Sequence, residues 1–469
     1  MVFSSLTFLF FFLPLALLIY YMSPGKGKNL VLLLVSLIFY AWGEPVYIVL
    51  MIFSACSDYL HGLLIVRYRL NERVKAKMIL LSSILINVGV LSFFKYADFL
   101  IENINSVLGT DIALLQLPLP IGISFYTFQT MSYTIDVYRG QVQPQKNPIA
   151  LAMYVSLFPQ LIAGPIVRYK SIVDDLHNRK WDTAQFADGV RLFIIGLGKK
   201  VLLANNIGML WSDISSQTPS EISMMTAWIG VIAFGFQIYF DFSGYSDMAI
   251  GLGKMFGFNF PRNFHYPFIA KSVTEFWRRW HISLGAWFRD YVFIPLGGSK
   301  HGKFATFRNL ILVWGLTGLW HGASWNYALW GLYFGLIIVV EKAGLLRMLS
   351  KQHPFFQHLY LLFIISFSWV LFVFEELATA TVYAKSMFWL SGNTLYDTQF
   401  LYYFYTNIIL LLILIIAATP ALSYVSSKTN QKRVRLITII PAVYYTSILL
   451  VATAYLVDES YNPFLYFRF

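Results

Sequence analysis

The sequence predicts an all-α membrane protein that crosses the bilayer many times. Hydrophobic residues make up 58% of the chain and charged residues 12%, whereas soluble proteins average about 45–50% and about 25%. Mean hydropathy is +0.61, and apolar runs approaching or exceeding the roughly 20 residues that cross the hydrocarbon core recur from end to end. Cys56 is the single cysteine, which excludes an internal disulfide, a cysteine metal site and an iron–sulfur cluster.

We expect about eleven full crossings. The runs long enough to span are residues 1–22, 29–50, 78–97, 148–166, 187–205, 224–242, 324–340, 357–374, 404–421 and 436–456. The shorter runs 51–66, 119–134 and 309–321 are predicted to be partial or re-entrant helices buried in protein. Because the first run lacks a basic n-region and a clear cleavage site, we interpret it as a retained helix and not as a signal peptide.

The basic residues indicate orientation and no nucleic-acid partner. The formal charge is +12, but these residues lie in short loops between spans, where they mark the cytoplasmic side. Lys26 and Lys28 form one such loop and residues 67–77 contain a second, so an external N-terminus would place both in the cytoplasm. We predict a single integral membrane domain over residues 1–469, with 254–308 as a mainly cytoplasmic-side interfacial segment.

His321 is the first candidate for a catalytic residue. It lies within residues 314–322, between apolar segments, and a group that changes charge near neutral pH is costly to hold at membrane depth. The alternative is a buried imidazole that donates to a carbonyl across a helix interface. With an unperturbed pKa of about 6.5, an imidazole can act as a general base on a hydroxyl or attack a thioester itself, and the sequence does not choose between these roles.

Residues close to His321 are candidates for orienting it or lining a tunnel. Trp320 precedes it, and Asn326 is the best candidate for a hydrogen-bond partner of the ring, although asparagine also joins membrane helices. The glycines Gly315, Gly318 and Gly322 make one helical face small, which indicates close helix packing and also leaves room for an acyl chain.

Asp241 and Asp247 bring carboxylates to the end of an apolar run. A charged aspartate there must pair with a cation, accept several hydrogen bonds or reach water. We therefore expect either a tunnel lining or a polar cluster that breaks the helix at Ser243 and Gly244.

Arginines alternate with aromatic residues in the interfacial segment. Arg278, Arg279 and Arg289 could lie in the headgroup layer as part of an amphipathic surface. They could instead bind the phosphates of a cytoplasmic acyl donor such as coenzyme A, because guanidinium pairs well with phosphate. His281 lies in the same segment, as a second catalytic candidate, a group that holds the thioester, or an anchor of the interfacial helix.

Several motifs together resemble the membrane-bound O-acyltransferase (MBOAT) family. They are PIGISFYTFQ (120–129), FPQLIAGP (158–165), YFDFSGYSDM (239–248), EFWRRWH (275–281), WHG (320–322) and YNPFLYF (461–467). The Phe-Gln pair at 128–129 and the run 158–165 are most similar to the bacterial alginate O-acetyltransferase (AlgI) branch. The resemblance implies a ring of tilted helices around a tunnel, closed by short interfacial and re-entrant helices.

The resemblance also implies an activity. The family pattern makes His321 the essential membrane histidine and His281 the second one, in an acetyltransferase for an extracytoplasmic polysaccharide. The donor would be acetyl-CoA, a substrate and not a bound cofactor, with no metal. The acetyl group would pass to a separate SGNH-type transferase, and the chain would lie in the bacterial cytoplasmic (inner) membrane. The alternatives are a D-alanyl transferase of the DltB type with an acyl-carrier protein donor, and a transporter or flippase without acyl chemistry.

Overall fold

The computed structural model describes residues 1–179, 182–421, 436–458 and 461–463, and every regular element in these ranges is a helix. The predicted all-α polytopic class is therefore confirmed. Residues 464–467, the end of the C-terminal motif, lie outside the described residues.

The described residues form twenty α-helices. They are α1 (Leu13–Met22), α2 (Lys28–Ala41), α3 (Ile48–Arg69), α4 (Arg73–Leu108), α5 (Ile123–Arg139), α6 (Pro148–Ser156), α7 (Phe158–Leu161), α8 (Val173–Asn178), α9 (Thr183–Gly198), α10 (Asn206–Ser215), α11 (Met224–Met255), α12 (Val273–Arg279), α13 (Ile282–Phe288), α14 (Gly302–His321), α15 (Trp325–Val340), α16 (Leu346–Leu349), α17 (Pro354–Val373), α18 (Leu377–Met387), α19 (Thr398–Ala417) and α20 (Leu436–Asp458). Short π-helical turns, among them Lys199–Asn205 and Arg289–Phe293, continue some of them.

The chain forms two compact units. The first comprises Met1–Phe193 and Ser246–Arg262, and the second comprises Ile194–Tyr245 and Asn263–Phe469. Aromatic rings fill the core of the first unit, where Phe39 packs on Phe158 with ring centroids 5.3 Å apart. In the second unit, Trp330 and Phe334 of α15 contact each other at 5.1 Å within a large aromatic cluster. The single domain expected over the whole chain stays a prediction.

Within the described residues, eight helical segments are long and apolar enough to cross a membrane. They are Ile48–Arg69, Arg73–Leu108, Thr183–Ser215, Met224–Met255, Trp325–Leu349, Pro354–Val373, Thr398–Ala417 and Pro441–Asp458. The shorter helix Phe8–Met22 is also apolar. The expected count of about eleven crossings stays a prediction.

Two apolar runs are divided differently from the expectation. The run 29–50 ends as a helix at Ala41, and α3 begins at Ile48 and continues to Arg69. The run 51–66, expected to be a partial helix, therefore belongs to a helix that is long enough to cross a membrane. Gly43 and Pro45 lie in the gap, where a proline amide cannot continue a helix. The run 148–166 is likewise broken at Leu157, whose backbone leaves the helical region one residue before α7.

Close packing of α14 on α15 sets the position of His321. A Cβ on Gly318 would lie 3.0 Å from the Cα of Gly331, so only small residues allow the two backbones to approach in this way. A Cβ on Gly315 would meet no atom within 4 Å. Helix packing therefore accounts for Gly318, and Gly315 leaves open space.

Candidate active site

His321 is the last residue of α14 and lies among aromatic rings. The extended backbone of Gly322 ends the helix, and α15 begins at Trp325. The imidazole is 6% exposed, and it contacts Trp330 of α15 at 5.0 Å and Phe372 of α17 at 5.5 Å between ring centroids. The turn between two tightly packed helices thus holds the ring in a setting that excludes bulk water.

His281 lies between α12 and α13 in a left-handed backbone conformation, with φ 45° and ψ 52°. Residues other than glycine seldom adopt this region, and such strain is concentrated at functional sites. The residue is 2% exposed, and burial lowers the pKa of its imidazole to about 3. At neutral pH His281 is therefore an uncharged imidazole.

Asn263 determines which nitrogen of His281 carries the proton. Its Oδ1 accepts from the backbone N–H of Ser283 at 3.1 Å and from the Ser283 hydroxyl at 2.9 Å. The backbone donor identifies this atom as the oxygen, and it lies 3.3 Å from Nδ1 of His281. Nδ1 therefore donates, and the lone pair of the neutral ring is on Nε2.

The indole of Trp320 contacts both histidines. Its ring centroid lies 5.0 Å from that of His321 and 6.1 Å from that of His281. The structure therefore brings together three residues that were expected at the site, although forty positions separate the two histidines in the sequence.

A cavity of about 210 Å³ begins beside His281 and follows α14. Its wall includes Arg289, and α14 contributes residues from Leu310 to Thr317, which corresponds to about 10 Å along a helix. Another turn of about 6 Å leads from Thr317 to His321. The other lining residues are mainly aromatic or aliphatic: Trp277, Trp280, Leu284, Gly285, Phe288, Phe293, Val313 and Trp314.

The three arginines have different surroundings. Arg278 is exposed. Arg279 is held at 2.8 Å by the carboxylate of Glu275 and donates to the backbone carbonyl of His265 at 3.2 Å. Arg289 pairs with the neighbouring Asp290 at 2.8 Å, is largely exposed, and is the one arginine in the cavity wall.

Helix α12, which carries most of the EFWRRWH motif, is anchored by Glu341. The carboxylate of Glu341 is fully buried. Its oxygens accept from the backbone N–H groups of Val273 at 2.7 Å and Thr274 at 2.8 Å, at the N-terminus of α12. A negative charge is favourable there because the helix dipole presents its positive end. Tyr360 also donates to Glu341 at 3.1 Å.

Asp241 forms a buried ion pair with Lys200, with 2.9 Å between Oδ1 and Nζ and each side chain only 3% exposed. The Lys200 ammonium also donates to the carbonyl of Pro463. The expected helix break at Gly244 does not occur, because α11 runs from Met224 to Met255. A Cβ on Gly244 would lie 2.7 Å from the carbonyl oxygen of Gly196, so this glycine permits close packing. Asp247 is partly buried and belongs to the first unit.

The amide of Asn326 donates to the backbone carbonyl of Phe374, which ties the start of α15 to the end of α17. This contact fits the alternative in which asparagine joins helices. The role of Asn326 in orienting His321 stays a prediction.

Sequence reasoning passed over Asn263, Glu341 and Lys200. Asn263 and Glu341 act through partners that are distant in the chain, and no spacing pattern signals them. Lys200 could have been found from the sequence, because a lysine within an apolar run needs a partner of opposite charge, and Asp241 lies in another apolar run.

Comparisons with known proteins agree with this architecture. A sequence model described as "MBOAT, membrane-bound O-acyltransferase family" matches residues 141–382. A protein of Azotobacter vinelandii described as probable alginate O-acetylase AlgI is 40% identical over 85% of this chain and 80% of its own length. A peptidoglycan O-acetyltransferase of Helicobacter pylori is 35% identical over 84% of this chain and 81% of its own length. A teichoic acid D-alanyltransferase of Bacillus subtilis is 29% identical over 46% of this chain and 58% of its own length.

The fold and these relatives define a multi-pass membrane enzyme that transfers acyl groups to oxygen. The chain belongs to the membrane-bound O-acyltransferase family, and it is similar to the alginate O-acetylases over most of its length.

Proposed function

We propose that this chain takes an acetyl group from acetyl-CoA on the cytoplasmic side and delivers it across the bacterial inner membrane for O-acetylation of a polysaccharide. The final transfer to the sugar is made by an SGNH-type partner. The observation that carries this proposal is the narrow cavity that extends from Arg289 and His281 along α14 toward His321.

The size of the cavity matches part of such a donor. Sites that enclose drug-sized ligands hold about 300–1,000 Å³, whereas this one holds about 210 Å³. It has room for an acyl group and a thin pantetheine arm, while the charged nucleotide stays outside. Moving the whole coenzyme through roughly 30 Å of hydrocarbon would be prohibitive because of its charges, and an acetyl group is small and neutral.

The buried histidines supply the chemistry. The thioester already stores the transfer potential, so the protein has to position it, move a proton and exclude water. His321 acts as a base on an acceptor hydroxyl or as the nucleophile that carries the acetyl group. His281 is neutral and has its lone pair on Nε2, so it accepts a hydrogen bond from the bound acetyl-CoA near the start of the cavity.

The second candidate is D-alanyl transfer from an acyl-carrier protein. The D-alanyltransferase of Bacillus subtilis supports it, but its similarity extends over 46% of this chain. A carrier protein presents its acyl group on the same pantetheine arm, so the cavity suits both donors. A transporter without acyl chemistry is the weakest candidate, because the relatives with high coverage are described as acetyl-transferring enzymes.

The test measures release of coenzyme A from acetyl-CoA by the purified, reconstituted protein. We compare the parent with His321→Ala and with His177→Ala, which removes an exposed imidazole of the first unit. Release that is lost only in His321→Ala supports the proposal. Release retained by His321→Ala removes this residue from the chemistry and points to His281. A parent that accepts only carrier-bound acyl groups overturns the donor assignment in favour of the second candidate.

A further inference from the structure

Two indole N–H groups in the region of the candidate active site are buried without a hydrogen-bond acceptor among the described residues. They are Nε1 of Trp330 and Nε1 of Trp277. Trp330 is 1% exposed. Buried polar groups in native proteins nearly always have a partner, because leaving one unpaired costs about 1–3 kcal/mol. Two such donors in adjacent side chains therefore call for an explanation.

The positions of the two rings connect the cavity with the catalytic candidate. Trp277 belongs to the cavity wall, which it shares with His281. Its ring contacts that of Trp330 at 5.6 Å, and Trp330 contacts the imidazole of His321 at 5.0 Å. Through these contacts the two rings form a continuous connection from the cavity wall to the imidazole of His321.

We propose that the indole N–H groups of Trp277 and Trp330 form the oxyanion hole for acyl transfer. This inference rests on the proposed function, and it assigns to the two tryptophans the charge stabilisation that this function requires. N–H donors that stay unpaired in the resting enzyme need no rearrangement when negative charge develops, and they act strongly where water is excluded.

Acyl transfer begins with attack on the carbonyl carbon of the thioester. The nucleophile is either the imidazole nitrogen or a hydroxyl oxygen whose proton passes to the imidazole, and it bonds to the acyl carbon. The π pair of the carbonyl moves to its oxygen, which the two indoles hydrogen-bond. When the pair returns, the carbon–sulfur bond breaks, and the thiolate leaves and takes up a proton. With a hydroxyl as nucleophile, the products are an ester and a free thiol. With the imidazole as nucleophile, they are an acetyl-imidazole and a free thiol, and the acetyl group then passes from the imidazole to a hydroxyl.

The experiment removes each N–H and keeps the ring. Tryptophan at 277 or at 330 is replaced by β-(3-benzothienyl)alanine, in which sulfur occupies the position of the indole nitrogen, and Trp277→Phe and Trp330→Phe are made in parallel. Trp211→Phe is the matched control, because Trp211 packs in the core of the same unit, on Phe234 at 5.3 Å. Rates of coenzyme A release are measured over a range of acetyl-CoA concentrations in reconstituted vesicles.

We expect each isosteric replacement to lower kcat by about 10²–10³-fold, the usual loss of one oxyanion donor, and to change KM by less than about threefold. The unfolding temperature should not fall, because a buried unpaired polar group has been removed. Trp211→Phe should keep its kcat. Isosteric variants that keep kcat within about threefold of an active parent overturn the oxyanion hole and leave the proposed function standing. A parent that releases no coenzyme A overturns both.

Discussion

The imidazole of His281 and the indole of Trp320 are in contact at 6.1 Å, and the same indole reaches His321 at 5.0 Å. One side chain therefore packs against both candidate catalytic groups. Any displacement of this ring alters the environment of both imidazoles, so we expect Trp320 to position the two.

Replacing Trp320 should impair acyl transfer without unfolding the protein. Trp320→Leu removes the ring that contacts both histidines, and we expect kcat for coenzyme A release to fall by about tenfold or more, since small misplacements near reacting groups have large effects. The control is Trp325→Leu, a highly exposed tryptophan nearby, 58% accessible, which should retain its kcat. Equal rates for both variants would contradict the positioning role.

The buried imidazole of His281 makes stability depend on pH. Burial lowers its pKa to about 3, whereas free imidazole titrates near about 6.5. Between these values the unfolded chain binds a proton that the folded chain does not, so the free energy of unfolding decreases as the pH falls. The stability of the fold with a neutral His281 is fully present above about pH 6.5. Below that pH, the free energy of unfolding decreases by up to about 1.4 kcal/mol for each pH unit.

His281→Gln should therefore reduce the acid sensitivity of the fold. We expect the difference in unfolding temperature between about pH 7 and about pH 5 to be smaller in the variant than in the parent, when both are measured in detergent. His177→Ala should follow the parent. Parallel pH dependence of His281→Gln and the parent would show that His281 is not the buried neutral group described here.

Removing Asn263 should affect His281 more than removing the neighbouring hydroxyl does. Asn263→Ala takes the acceptor from the Nδ1–H of His281 and from the backbone N–H of Ser283, and each buried donor left unpaired costs about 1–3 kcal/mol. Ser283→Ala removes one hydroxyl and keeps the tautomer of His281. We expect coenzyme A release to fall much further in Asn263→Ala, and equal losses would argue against tautomer control.

The membrane class and the candidate His321 could both be predicted from the sequence alone. Composition and run length predict the helical membrane class, because the bilayer demands long apolar segments whatever their contacts. His321 can be found for the same reason, since a titratable group in apolar sequence is rare. Its packing on Trp330 and Phe372 could not be predicted, because three separate helices define it.

The same limit applies to the charged residues. Asp241 was expected to need a partner, but the choice of Lys200 depends on how two helices are juxtaposed. Gly43 and Pro45 are residues that interrupt helices, so the break between α2 and α3 was predictable from local chemistry. The apolar run continues on both sides of them, however, and was therefore interpreted as one uninterrupted span. Local rules therefore predicted which residues are exceptional, and tertiary packing decided which of them meet.

Lys200 and Asp241 provide a test of the buried ion pair. Lys200→Met leaves a carboxylate buried without its cation and should destabilise the protein by about 3–5 kcal/mol. The double variant Lys200→Met with Asp241→Asn removes both charges and should recover much of that loss. Thermal unfolding of the two single variants and the double variant measures the coupling. Additive effects would mean that the two groups do not interact.

Replacing the three candidate donor-binding arginines should change the KM for acetyl-CoA to different extents. Arg289 lies in the cavity wall, so Arg289→Gln should raise the KM for acetyl-CoA by about tenfold and leave kcat nearly unchanged, which is the signature of binding that is equal in the ground and transition states. Arg279 is engaged by Glu275 and His265, so Arg279→Gln should lower the unfolding temperature more than it alters KM. Exposed Arg278 is the matched charge control. If Arg278→Gln raised KM as much as Arg289→Gln does, the effect would reflect the general positive potential of this surface. The specific contact between Arg289 and the phosphates of acetyl-CoA that we predict would then be wrong.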